Sequence, residues 1–335
     1  MRNATLDFGR YNIVLFAAAT AVAAAAAIGL ADLAGYEQLV RVVAKLNPLW
    51  VPLCFGGQVL SYLGYVLAVL DMARVEGGPR LSFSLSTRTV LAGFGVFAAT
   101  HASGGFAVDY WTFRRSGLKR PDAIARVLGL GALEYAVLAP AALISAIVLL
   151  FGRGDHVQDA MTYPWLLVIP GVLVALWLSS PKRAERFADP GDSGWIRGAF
   201  SHGVAGVCKL RTLLSRPRHW QGVAGVALYY FGDIVTLWAA LTIFGAEVST
   251  PKLILAYATG YVLSRRSLPA GGAGIVEFLM TFALVWVGLG LAPALMGVLL
   301  YRAFNFWLPI IPALAIMPSV RELRTDWTKA EAESQ

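Results

Sequence analysis

Charge is what this chain has least of. Only 14% of its 335 residues are Asp, Glu, Lys or Arg, against about 25% in an ordinary soluble domain. By contrast 57% are hydrophobic, and the mean hydropathy is +0.63. A soluble core has no need of repeated apolar stretches of about 20 residues. The shortage therefore excludes a soluble enzyme, a disordered chain and a fibrous repeat. Cysteine is nearly absent as well. Cys54 lies in an apolar run and Cys208 in a basic stretch, which excludes a disulfide framework. Four histidines leave little material for a metal site. There is no Gly-x-Ser-x-Gly elbow, no His-Glu-x-x-His, no P-loop and no acidic cluster for a divalent ion. No catalytic residue, metal ligand or cofactor is expected.

What is present is a series of apolar runs, roughly 11–31, 49–70, 89–108, 128–151, 163–180, 221–244, 252–264, 275–291 and 294–318. They predict an all-α polytopic membrane protein. The first run follows Arg2 and Arg10 and is rich in alanine. It reads as a crossing rather than a signal peptide, because no clear mature domain follows it.

The net charge of +8 sits between these runs, which points to orientation and anionic lipid rather than nucleic acid. The loops 71–88, 109–127 and 181–220 and the tail after 320 are rich in Lys and Arg. The loops 32–48, 152–162 and 245–252 are poor in them. Placing the cation-rich loops in the cytoplasm puts both flanks of run 89–108 on one side, so that run is expected to be a re-entrant hairpin. Its centre, His101-Ala102-Ser103-Gly104-Gly105, is a poor helix interior, and non-helical backbone is tolerated at membrane depth where protein or a wet cavity surrounds it. Run 252–264 is too short to cross and is followed by a Pro/Gly tip and run 275–291, giving a second hairpin from the opposite face. The expected architecture is six crossings and two hairpins, with both termini cytoplasmic. Residues 1–320 form one membrane domain with approximate halves 1–180 and 195–320, and 321–335 a cytoplasmic tail. The hairpins echo each other weakly: Gly104-Gly105 then Asp109-Tyr110, and Gly271-Gly272 then Glu277-Phe278, one residue out of step. Inverted repeats with interrupted helices are a recurrent transporter plan.

The segment 195–214 spaces Trp195, Phe200, Val204, Val207, Leu210 and Leu214 at three- to five-residue steps, with Arg197, Lys209 and Arg211 elsewhere. That describes an amphipathic helix on the anionic inner leaflet, cations facing phosphates. A segment packed on the bundle fits the same pattern.

Ionisable groups inside apolar runs cost several kcal/mol unless paired or wet. Arg265 and Arg266 precede the tip Pro269-Ala270-Gly271-Gly272-Ala273-Gly274, and Glu277 opens the next run. Arginine forks hold phosphate bidentately, and the free N–H groups of a helix start after Gly274 add partial positive charge. Arg302, inside the last run, needs a partner, and Glu277 is its nearest candidate. In the first half Asp109 with Arg114 or Arg115 is the matching group. Glu134 is expected near the cytoplasmic third of its helix, and Asp233 facing a cavity. His101 reads as a hydrogen-bonded tip residue.

The stretch Leu268 to Glu277, with Tyr301-Arg302 and Trp307-Leu308-Pro309 about 25 residues later, resembles the flippase-like membrane domain of lysylphosphatidylglycerol synthases. That domain carries Pro-x-Gly-Gly-x-Gly-x-x-Glu, then Tyr-Arg and Trp-x-Pro steps. Gly104-Gly105, Arg114 to Gly117 and Asp122-Ala123 are similar too, so the likeness runs from about residue 10 to 320. The first hairpin departs from the family, which often has a proline and a Gly-Glu or Gly-Asp step there. Only residues 319–335 follow the last run, so the resemblance implies lipid translocation in the bacterial inner membrane without aminoacylation, by a stand-alone member. The cargo it implies is an anionic phospholipid or an isoprenoid-type lipid, with no nucleic-acid partner. A homo-oligomer is left open. A lipid-modifying transferase using Glu277 or Asp109 as base, and a scaffold for lipid synthesis, stay open beside transport.

Overall fold

The computed structural model describes residues 21, 24–26, 28–99, 103–152, 157–180, 183, 195–264, 274–313 and 315–316. Among them every regular element is helical. Twelve helices follow in order: α1 Tyr36–Ala44, α2 Val51–Arg74, α3 Phe83–Ala99, α4 Ser103–Arg115, α5 Arg120–Phe151, α6 Asp159–Leu166, α7 Val168–Leu178, α8 Trp195–Ser215, α9 Trp220–Ile243, α10 Thr250–Ser264, α11 Ile275–Trp286 and α12 Leu291–Arg302. Five stretches are long and apolar enough to cross a membrane: Pro48–Gly77, Arg120–Phe151, Asp159–Leu178, Pro217–Ile243 and Leu291–Ala313. The protein is an all-α polytopic membrane protein. The first apolar run and the tail lie largely or wholly outside the described residues.

The core is the antiparallel pair α2 and α9. Each begins with proline in a short 3-10 turn, Pro48–Trp50 and Pro217–His219, where the missing N–H costs nothing. The Asn47 N–H donates to the Ile243 carbonyl at 2.9 Å, tying the start of α2 to the end of α9. Between these ends glycines let the backbones touch. A Cβ on Gly64 would lie 2.5 Å from the Gly225 carbonyl oxygen, and one on Gly232 would lie 2.3 Å from that of Gly57. Small residues at helix contacts are how membrane helices gain packing where lipid competes for every apolar surface.

These contacts also define an internal symmetry. Gly57 pairs with Gly232 and Gly64 with Gly225, and both 225 − 57 and 232 − 64 equal 168. Exchanging the two helices therefore leaves the contact set unchanged, as a two-fold axis across an antiparallel pair requires. The order of elements agrees. Long helix α2, paired helices α3 and α4, then α5 is repeated by long helix α9, paired helices α10 and α11, then α12. The 168-residue shift sets Gly104 against Gly272, Asp109 against Glu277 and Glu134 against Arg302. The weak echo of the two hairpins, one residue out of step at Gly105, is in register at Gly104.

Several stretches expected to be loops are helical. Most of 109–127 belongs to α4 and α5, leaving only residues 116–119 between them. Two of the cations there, Arg114 and Arg115, occupy the last turn of α4, where positive charge complements the helix dipole, and Arg126 is buried inside α5 with its guanidinium on the Val75 carbonyl. The 181–220 stretch contains α8, which packs along α5 with Gly206 and Gly129 at closest approach. Lys209 does not face phosphates. It is buried, ion-paired with Glu76, and 3.5 Å from Asp122. Of the apolar positions read from the sequence, Val204 and Leu210 are buried while Phe200 and Leu214 are exposed, so the helix packs on the bundle by part of that face and leaves the rest open. Helices α6 and α7 form the most peripheral crossing, and no residue of α7 is buried. They meet at Leu167 because Pro170 has no N–H for the Leu166 carbonyl.

Candidate functional site

Gly274 has φ 85°, a left-handed value that glycine adopts without cost. It caps α11. The Glu277 side chain turns back so that Oε2 accepts the Gly274 N–H at 2.6 Å, satisfying one of the orphan donors of a helix start. The other oxygen, Oε1, accepts Arg302 Nε at 2.9 Å. Both side chains are more than nine-tenths buried. The Arg302 guanidinium also lies 4.3 Å from the Phe306 ring centre, within cation–π range. The sequence-predicted partnership of Glu277 with Arg302 is therefore formed. Arg265, Arg266, Pro269, Gly271 and Gly272 lie outside the described residues, as does His101.

After Arg302 the helix widens into a π turn over Ala303–Trp307, with the Leu308 N–H bonded to the Ala303 carbonyl at 2.8 Å. Such single turns recur at functional sites. Here the turn holds Asn305, whose Nδ2 donates to Asp233 Oδ1 at 2.6 Å. Asp233 Oδ2 accepts Tyr257 Oη–H at 2.5 Å and Tyr301 Oη–H at 2.8 Å. Asp233 is 1% exposed, so it does not face an open cavity as expected from sequence. Three donors, from α10, α12 and the π turn, enclose it instead, which is how a carboxylate is kept at depth. Tyr301 and Arg302 are adjacent, so one turn of α12 serves both carboxylates.

Towards the first repeat the site continues as tyrosines. Tyr257, Tyr261, Tyr230, Tyr229 and Tyr65 make successive ring contacts, with centroids 4.9 to 6.2 Å apart. Tyr261 donates to Glu134 at 3.0 Å, and its hydroxyl lies 3.4 Å from that of Tyr229. Tyr65 donates to Asp109 at 3.3 Å. Asp109, Glu134, Asp233 and Glu277 are all buried. Glu134 stands near the middle of α5, not towards its end, because α5 begins eight residues before the apolar run that marked it. Arg114 is not brought to Asp109 by their shared helix. Five residues are about 140° of helical turn, and Arg114 Nη1 donates to the Leu118 carbonyl at 2.7 Å, closing the end of α4.

A second buried pair went unread in the sequence. His219 Nδ1 lies 3.0 Å from Asp71 Oδ1, and Asp71 Oδ2 accepts the Gly222 N–H at 2.8 Å. Asp71 thereby joins the end of α2 to the start of α9, with its charge on a helix N-terminus. Its position just past an apolar run made it look like a loop residue. The tyrosines and Asn305 were missed for another reason: Tyr is at home in any apolar run. The four-residue step from Tyr257 to Tyr261 was the available signal.

The arrangement defines a class: a polytopic membrane protein with two inverted helical units around a buried, charge-bearing centre. A family model described as the lysylphosphatidylglycerol synthase TM region matches residues 14–313, and the chain belongs to that family. No curated protein matches it. Family membership ties the protein to membrane lipids.

Proposed function

We propose that this protein is a lipid transporter of the flippase type, moving a phosphate-bearing polar lipid across the bacterial inner membrane. In this reading both hairpins, α3 with α4 and α10 with α11, are re-entrant from opposite faces, and both termini are cytoplasmic. The single observation that carries the reading is the Glu277–Arg302 pair, buried in apolar helices beside a capped helix start. A lipid phosphate in hydrocarbon is poorly solvated, and its path needs fixed cations and N–H donors at depth. Arg302 is such a cation. Glu277 neutralises it while no phosphate is bound, since an unpaired buried charge is costly. A phosphate brings the same paired acceptor oxygens that a carboxylate does, so it can exchange with Glu277 at the guanidinium fork. Arg265 and Arg266, which follow α10 in the sequence, would pass the head group to Arg302.

Reconstitution tests this. Proteoliposomes should accelerate flipping of a fluorescent phospholipid over protein-free vesicles, and should not accelerate a phosphate-free glycolipid with the same chains. Equal acceleration of both, or of neither, contradicts the reading.

A further inference from the structure

The chain turns two corners between the first apolar run and α2. Residues 28–34 are helical, and Gly35 ends that stretch at φ 83°, its N–H donating to the Ala31 carbonyl at 3.1 Å. A left-handed glycine is a common way to stop a helix. The Gly35 carbonyl then accepts the Gln38 and Leu39 N–H groups, at 3.0 and 3.2 Å, which opens α1. At the far end the Asn47 side chain accepts the Leu49 N–H at 3.2 Å, and Pro48 begins the turn into α2. Bracketed by these corners, α1 is free of the direction of the helices on either side.

Successive residues of a helix are about 100° apart, and α1 divides into three sectors. Leu39 and Val42 are half-buried, and Val42 packs on the core, which gives the side of α1 that meets α12. Glu37, Gln38, Arg41 and Lys45 form a polar sector and are all exposed. Tyr36, Val40 and Val43 form a third sector, apolar yet 82%, 57% and 45% exposed. The middle of this open sector lies about 150° from that of the polar one and about 100° from that of the packed one. A helix lying flat at a membrane surface beside a bundle has this arrangement, with protein to one side, water above and lipid below. Upright in the bilayer, its charged sector would be costly. Surrounded by water, its open apolar sector would have no cover.

Two neighbouring features put the lipid surface at this level. Exposed apolar residues continue along the chain through Leu46 and Leu49 to Val51, Leu53 and Phe55 at the start of α2, a stretch long and apolar enough to cross a membrane. Trp50 meets Trp238, near the end of α9, edge on with ring centroids 5.1 Å apart, and tryptophans gather where hydrocarbon meets head groups.

We infer that α1 is an interfacial anchor. Tyr36, Val40 and Val43 sit among the upper acyl chains of one leaflet, while Glu37, Arg41 and Lys45 face the water. The partner is the lipid surface itself, and the assignment holds whatever the protein carries. In the proposed topology that leaflet is the periplasmic one.

Fluorescence quenching tests it. In full-length protein with Cys54 and Cys208 replaced, Tyr36→Cys, Val40→Cys, Val43→Cys, Glu37→Cys, Arg41→Cys and Lys45→Cys each carry a bimane label in phosphatidylcholine–phosphatidylglycerol vesicles. The quenchers are iodide on both sides of the membrane, a lipid nitroxide near the head of the acyl chain and one at its end. All six positions are exposed, so the packed sector of Leu39 and Val42 stays intact in every variant. Labels at 36, 40 and 43 should lose emission to the shallow nitroxide, lose less to the deep one and keep it in iodide. Labels at 37, 41 and 45 should lose it to iodide. Quenching of all six by iodide alone puts α1 in water and overturns the anchor. Shielding of 36, 40 and 43 from all three quenchers puts protein, such as a second copy of this chain, on the open sector and overturns it equally. Greater loss to the deep nitroxide stands α1 upright and overturns its flat setting.

Discussion

Arg302 Nε stands 2.9 Å from Glu277 Oε1 across the contact between α12 and α11. The positions related to this pair by the internal repeat are Glu134 and Asp109. One unit of the inverted pair therefore presents acid with base, and the other acid with acid. The two units match in the α2–α9 contact and in the order of their elements, and differ in charge at the centre.

Glu277 has two tasks, and two substitutions separate them. Glu277→Gln keeps an acceptor for the Gly274 N–H but removes the carboxylate charge beside Arg302, a loss of about 3–5 kcal/mol for a broken buried pair. Glu277→Ala also removes the cap, at about 1 kcal/mol more. Thermal unfolding in detergent should rank wild type above Gln and Gln above Ala. Equal midpoints for wild type and Gln would mean the pair does not hold α11 to α12.

Glycine contacts give a prediction of opposite signs within one helix. Gly64→Ala places a Cβ against the α9 backbone and should cost about 1–3 kcal/mol through overpacking. Gly56→Ala meets nothing within 4 Å and should stabilise by up to about 1 kcal/mol through helix propensity. Both are read by the unfolding midpoint. Similar losses for the two would contradict the close α2–α9 approach.

Asp233 needs its charge to satisfy three donors. Asp233→Asn has one acceptor oxygen and should cost about 1–3 kcal/mol, the penalty of a buried donor left unmade. Tyr257→Phe alone should cost about 1 kcal/mol. In the Asp233→Asn background the amide oxygen in the place of Oδ2 still accepts both tyrosine hydroxyls, with the amide nitrogen facing Asn305, so the same change should cost about as much again. A Tyr257→Phe change that costs nothing in that background would show that the hydroxyls, and not Asn305, had lost their acceptor.

Labelling from outside tests the re-entrant reading of the hairpins. With Cys54 and Cys208 replaced, a cysteine at 115 should be inaccessible to an impermeant reagent in intact cells, and one at 247 accessible. Labelling at 115 from the periplasm would make α3 a crossing and reverse the sidedness of everything after it.

How much of this was legible in the sequence varied with the residue. Glu277 and Arg302 could be paired from the sequence because each is an isolated charge in an apolar run, and such charges need each other. The donors to Asp233 could not, because Tyr257 and Tyr301 look like ordinary aromatic filling and Asn305 depends on the π turn. Lys209 was misread because amphipathic periodicity does not say whether the partner is lipid or protein, and its ion pair with Glu76 bridges 133 residues of chain. Helix limits were misread at α4 and α5, where charges that complement helix ends resemble a loop. The repeat register was hidden because its markers are glycines, and pairing Gly57 with Gly232 needs the fold.

In the proposed transport path the Arg302 guanidinium binds the phosphate of the crossing lipid. The most direct test is the flipping rate of a labelled phospholipid by Arg302→Lys and Arg302→Ala proteoliposomes at matched, correctly inserted protein. An ammonium keeps the charge but lacks the planar fork, so Lys should be about tenfold slower than wild type, and Ala should fall to the protein-free rate. Wild-type rates in Arg302→Ala would contradict the account outright.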